Sequence, residues 1–142
     1  MKDTNLVAEL NITSLEALYE MVSNSVVNDV KSLSVKSIFA AKKGNNQYAA
    51  ELIGMCIALE PNVAQYYLQL GRICSKMGWW EQAIKAVRRS IYLNPYDTDS
   101  WYGLGHIFKV VDEKKQAKFC FSQCLKLDPK SKKAIQALEA LN

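Results

Sequence analysis

Along residues 64–77 the side chains Tyr67, Leu70 and Cys74 recur at intervals of three and four, and along residues 80–93 Trp80, Ala83, Ile84, Val87 and Ile91 do the same. That spacing puts each set on one side of an α-helix. Gly78 can take the left-handed backbone that ends the first helix, and Asn94-Pro95 closes the second. The same pattern predicts helices at 14–27, 30–43, 46–59, 98–111 and 114–127, with a terminal helix near 131–141. Few runs alternate strictly between apolar and polar residues, so the chain is expected to be all-α.

Displaced by 34 residues, the sequence falls onto itself. Pro61, Pro95 and Pro129 coincide, each preceded by a polar residue, Glu60, Asn94 or Asp128. So do Leu59, Leu93 and Leu127; Ala49, Ala83 and Ala117; Ile53, Val87 and Phe121; and Ser37, Gly71 and Gly105. Such a period marks stacked supersecondary units. Glycine within a helix costs about 0.5–1 kcal/mol relative to alanine. Gly71 and Gly105 therefore imply close approach of a neighbouring helix, with Ala83 and Ala117 as the matching small surface.

This arrangement resembles the tetratricopeptide repeat family, whose unit is a pair of antiparallel helices with an aromatic, a Leu-Gly pair, small residues and a terminal proline at fixed spacing. Residues 64–97 carry the pattern through Tyr67, Leu70, Gly71, Gly78, Ala83, Val87, Leu93 and Pro95, and residues 98–131 through Trp101, Leu104, Gly105, Phe108, Ala117, Phe121, Leu127 and Pro129. In residues 30–63 the Leu-Gly pair is replaced by Lys36-Ser37, while Gly44, Ala49, Ile53, Leu59 and Pro61 keep the frame. The resemblance implies an all-α, right-handed superhelical solenoid of three repeats.

The ends are expected to act as caps of one domain spanning 1–142: a helical cap over 1–29, the repeats over 30–131, and a capping helix over 132–142. Thr13 and Glu16 form a capping-box signature ahead of Leu15, Leu18, Tyr19, Val22 and Val26. Asp128 could cap the last helix with Pro129 at its first position. Ala134, Ile135, Leu138 and Leu141 would then form its apolar face.

Composition narrows the chemistry. The first residues lack a basic cluster before a long apolar run, and no stretch approaches the length of a membrane span, so neither a signal peptide nor a membrane helix is expected. Cys56, Cys74, Cys120 and Cys124 sit inside helical patterns, which favours a reducing compartment such as the cytoplasm, although an even number leaves a disulfide open. Cys56 and Cys124 share a small-residue column with Ser90, and Cys74 shares one with Ala40 and Phe108, so these three read as small core residues. Cys120 lies beside that pattern and is the candidate for an exposed, reactive thiol. His106 is the single histidine, and no carboxylate pair has the spacing of a general acid and base. Gly103-Leu104-Gly105 lies within a predicted helix with no strand before it, so a phosphate-binding reading fails. No catalytic residue, metal site or cofactor is expected.

Residues 1–66 carry five lysines against seven carboxylates, whereas residues 67–142 carry thirteen basic against seven acidic side chains. Lys109, Lys114, Lys115, Lys118, Lys126, Lys130, Lys132 and Lys133 give the last repeat a basic skirt. Nucleic-acid binding is the weaker reading, since the last repeat has no arginine; an acidic protein partner is preferred.

The resemblance implies recognition in a concave groove lined by the first helix of each repeat. There it would present Lys31, Ser34 and Ile38, then Gln65, Leu68, Gln69, Arg72 and Lys76, then Asp99, Tyr102, His106 and Lys109. The expected binding residues are Leu68, Gln69, Arg72, Lys76, Tyr102, His106 and Lys109, holding an acidic or mixed peptide segment of another protein. Family members that clamp the C-terminal carboxylate of heat-shock chaperones use lysine, asparagine and arginine where this chain has Ser34, Ile38, Gln69, Asp99 and Gly103, so that clamp is absent. The chain is expected to be a non-enzymatic adaptor or assembly factor. The alternative is a secretion-type chaperone for an exported protein, a class also resembling three such repeats but usually acidic, against a net charge of +4 here. Trp79, whose counterparts are Asn45 and Glu113, is expected to be partly exposed as an outer contact for another protein or for a second copy in a homodimer.

Overall fold

Three helix pairs with the same lengths, 13 residues and then 14, follow one another along the chain: α1 (Val30–Lys42) and α2 (Asn46–Leu59), α3 (Ala64–Lys76) and α4 (Trp80–Leu93), α5 (Thr98–Val110) and α6 (Lys114–Leu127). A shorter helix, α7 (Lys132–Ala140), ends the chain. The structure is a computed structural model and describes residues 29–142. The predicted helix 14–27, its capping box and nearly all of the 1–29 cap lie outside the described residues. The described helices match their predicted spans to within a residue or so, because glycine and proline punctuate the sequence where the backbone turns.

Each pair is joined by the same three-residue turn. Gly44 and Gly78 have φ of 82° and 73°, and their register partner Asp112 has φ of 63°. In each turn the next amide reaches back five residues: Asn45 N–H donates to the Ala40 carbonyl at 2.9 Å, Trp79 to Cys74 at 2.9 Å and Glu113 to Phe108 at 2.8 Å. This left-handed helix ending satisfies carbonyls that the terminus would otherwise strand. Glycine takes the conformation freely, whereas Asp112 adopts it against its Cβ.

The chain divides into two compact units between Pro61 and Asn62. In the first, α1 and α2 run antiparallel around Leu33, Phe39, Ala40, Ala49, Leu52, Ile53 and Cys56. Buried Ser37 donates its hydroxyl to the Ala49 carbonyl at 2.8 Å, a polar substitute for the glycine found in this column elsewhere. The Cys56 thiol, near the end of α2, approaches the Val30 carbonyl at the start of α1 at 3.6 Å. Asp29 caps α1 by accepting the Ser32 amide at 2.8 Å, which holds its carboxyl below the usual range.

In the second unit α3 to α7 enclose one core containing Leu68, Cys74, Val87, Leu104, Phe108, Cys120 and Phe121. A Cβ on Gly71 would collide with the Val87 side chain and lie 3.4 Å from the Ala83 carbonyl; one on Gly105 would lie 2.7 Å from the Phe121 ring. Ala83 and Ala117 are wholly buried. The close approach implied by the sequence is therefore present at both repeats. Between α4 and α5, Ser90 and Ser100 are buried with their hydroxyls 2.9 Å apart. Ser100 donates to Asp97 at 2.9 Å, so the Ser90 hydroxyl donates to Ser100 and both polar groups are satisfied.

One cap differs from expectation. α7 begins at Lys132, not at Pro129, and its N-cap is Ser131, whose hydroxyl accepts the Ala134 amide at 3.4 Å. Asp128 instead accepts the Lys130 amide at 3.2 Å and shapes the preceding turn. A serine followed by a run of helix-formers outcompetes Asp128-Pro129 because it keeps Ala134, fully buried, on the core side of the helix.

A basic cleft between α3 and α5

Arg72 and Lys76 lie one helical turn apart on α3, and Tyr102 and His106 one turn apart on α5. The same period that sends Leu70, Cys74, Leu104 and Phe108 inward turns these residues toward a cleft of about 440 Å³. Its lining also includes Gly71, Ser75, Asp99, Gly103, Ile107 and, from α7, Lys133. Gly103 narrows nothing: a Cβ there would meet only Leu68 Cδ1, at an ordinary 3.8 Å.

Charge in the cleft is lopsided. Among the described residues that line it, Arg72, Lys76 and Lys133 accompany a single carboxylate, Asp99. Asp99 is engaged by Lys133, Nζ to Oδ1 at 3.1 Å. The same ammonium lies 4.7 Å from the centroid of the Tyr102 ring, which packs in turn on Phe121 with centroids 5.5 Å apart. Tyr102 is thus contacted from two sides, by Lys133 and by Phe121. Arg72 is exposed and has no carboxylate within 4 Å among the described residues. The Ser75 hydroxyl is occupied, donating to the Gly71 carbonyl at 2.9 Å.

Of the residues selected from sequence, the cleft gathers Leu68, Arg72, Lys76, Tyr102 and His106, but Gln69 and Lys109 are not in its lining. Leu68 is only 1% exposed and serves as floor, held in the core. Lys133, expected only as part of the basic skirt, also lines the cleft; its register, one 34-residue period after Asp99, is the signal for that. Trp79 is 45% exposed at the head of α4, as its polar counterparts imply.

Cys120 corrects the expectation of a reactive thiol. It is buried, and burial pushes its thiol up to about 12. Cys124 is likewise buried and raised to about 11. A reactive cysteine needs a depressed value and access. All four cysteines are free and buried. Among the described residues no group of three or more His, Cys, Asp or Glu side chains is placed to hold a metal ion, and no helix is long and apolar enough to cross a membrane. The eight lysines of the basic skirt are all exposed.

The tetratricopeptide repeat profile matches residues 64–97 and 98–131. The human Protein O-mannosyl-transferase TMTC3 is 26% identical over 104 residues, 72% of this chain, and the chain spans only 11% of that protein's length. Among solved structures, the MamA RS-1 ArsTM double mutant superposes with a TM-score of 0.81 at 20% identity, covering 99% of this chain and 79% of that one. The first such repeat domain of Spaghetti (RPAP3), solved with the HSP90 peptide SRMEEVD, gives 0.75 at 16% identity, covering 79% and 89%. At these identities the structural likeness is one of fold. Residues 64–97 and 98–131 are tandem tetratricopeptide repeats.

Proposed function

We propose that the chain is a non-enzymatic adaptor or assembly factor that holds an acidic or mixed peptide segment of another protein in the cleft between α3 and α5. The observation that carries this reading is the charge of the lining, three cations to one carboxylate, set around the aromatic ring of Tyr102. Arg72 supplies a planar fork suited to a carboxylate, and Tyr102 a platform of low conformational cost, the residue types that dominate binding hot spots. The Spaghetti domain was solved with an HSP90 peptide. The positions that clamp such a carboxylate in the family are Ser34, Ile38, Gln69, Asp99 and Gly103 here, so the segment bound is of a different kind. Trp79, outside the cleft lining, offers a separate contact for a partner or a second copy. Four free thiols suit a reducing compartment such as the cytoplasm.

The test is capture of the tagged full chain from its native cells, followed by zero-length carbodiimide cross-linking, which joins lysines to carboxylates. The expected products couple Lys76 and Lys133 to Asp or Glu of one partner segment. Cross-links found only at Lys114, Lys118 or Lys126 would move binding off the cleft, and recovery of nucleic acid in place of protein would support the nucleic-acid reading.

A further inference from the structure

A second groove lies between α4 and α6, with α5 as its floor, and shares no lining residue with the first. Its volume is about 420 Å³, within the range of sites that hold a small ligand or a few side chains. Ile91, Leu104, Phe108, Trp101 and Phe119 give it an apolar interior. The Trp101 indole N–H is spent on the Pro95 carbonyl at 2.8 Å, so it adds no free donor.

Two features set this groove apart from an ordinary seam between helices. Phe119 is 57% exposed and meets Trp101 edge-on, centroids 6.0 Å apart. Its register partners are Glu51 and Lys85, so an aromatic stands in a column that is charged in the other two repeats. The other feature is charge. Arg88 and Lys115 belong to the lining and no carboxylate does. Arg88 lies over the Phe108 ring at 5.8 Å, and neither cation has a carboxylate within 4 Å among the described residues.

We propose that this groove is a second docking site, for a short peptide segment of a partner protein in which one or two bulky apolar side chains are flanked by Asp or Glu. The apolar side chains fill the space over Phe108 and Trp101, and the carboxylates meet Arg88 and Lys115. A peptide is favoured over a small amphiphile because the exposed part of Phe119 extends the apolar surface beyond what a molecule inside the groove would cover. A large exposed aromatic beside cations that have no carboxylate partner among the described residues is the composition of an interface centre with a charged rim.

The test is selection of random 12-residue peptides displayed on phage against the full chain carrying Arg72→Ala and Tyr102→Ala, which disables the first cleft, followed by affinity measurement of the synthesised winners on the wild-type chain and its variants. The expected winners carry Asp or Glu next to Leu, Phe or Trp. They bind at least about tenfold more weakly to Phe119→Lys and to Arg88→Glu, and at full strength to Arg72→Ala. Phe119→Lys adds positive charge, so a loss there reports the apolar contact; Arg88→Glu reports the charge. Circular dichroism and a denaturation midpoint confirm that each variant folds. Winners lacking acidic residues, winners indifferent to both groove variants, or no winners at all would overturn the proposal. So would dodecanoate binding at Phe119 without any peptide, or self-association of the chain that Phe119→Lys abolishes without any peptide bound.

Discussion

Lys133 on α7 returns to Asp99, one repeat length earlier in the chain, with Nζ 3.1 Å from Oδ1 and the ammonium over the Tyr102 ring. The terminal helix therefore supplies one wall of the cleft as well as covering the end of the core with Ala134 and Leu141. Both partners of the pair are about half exposed, at 52% and 55%. An exposed pair of this kind is worth roughly 0–1 kcal/mol. Lys133→Ala is expected to lower stability by less than about 1 kcal/mol, with the difference fading in 1 M salt, as read from urea denaturation. A loss above about 2 kcal/mol would show that α7 is held by this pair and not by its apolar face.

Glycine-to-alanine changes should have opposite signs at two helical positions. Nothing lies within 4 Å of a Cβ built on Gly54, so Gly54→Ala should gain about 0.5–1 kcal/mol from helix propensity alone. At Gly71 the new methyl strikes the β-branched Val87 on the facing helix, and the net cost should be about 1–3 kcal/mol. Thermal unfolding of the two variants decides it; a gain in both would mean that α3 and α4 do not need their close approach.

Asp112 occupies a left-handed conformation that glycine holds in the equivalent turns. Asp112→Gly should stabilise the fold by about 0.5–1 kcal/mol, because the relief of the Cβ clash exceeds the added entropy of the unfolded chain. An equal or lower denaturation midpoint would show that the aspartate side chain compensates locally.

The raised thiols make stability fall at alkaline pH. Cys120 at about 12 and Cys124 at about 11 stay protonated in the folded state well above their ordinary 9.0. The unfolded chain releases those protons near the ordinary value, so the stability present below about pH 9 declines as pH rises toward the folded values. Cys120→Ser removes one ionising group and should flatten part of that decline. Iodoacetamide at pH 8 should label Cys120 only after denaturation; rapid labelling of the native chain would contradict its burial.

The fold was legible because its boundaries are written in the two residue types that punctuate helices, glycine through its conformational freedom and proline through its lack of it. Gly44 and Gly78 take the left-handed turn freely, and Pro61, Pro95 and Pro129 do not continue a helix; each repeats at the same interval. The positive φ of Asp112 is announced only by its register with Gly44 and Gly78, since the residue itself is not a glycine. Cys120 was misjudged although a signal existed: its register partners, Leu52 and Ala86, are both buried. Leu68 lines the cleft from its buried floor, a depth its register partners Ser34 and Tyr102 say little about because they differ so much in size. The cleft itself was half legible. Arg72, Lys76, Tyr102 and His106 follow from helical spacing, whereas Lys133 enters through the packing of α7, a tertiary relationship that helical periodicity does not encode.

The most direct test of the central claim is calorimetric: titration of the partner segment recovered by cross-linking into the wild-type chain and into the double variant Arg72→Ala, Tyr102→Ala. Loss of one good anchor costs about 2 kcal/mol, so affinity should fall by roughly thirtyfold or more while helix content stays unchanged. Binding at full strength by the folded double variant would contradict the assignment of the cleft between α3 and α5 as the site of recognition.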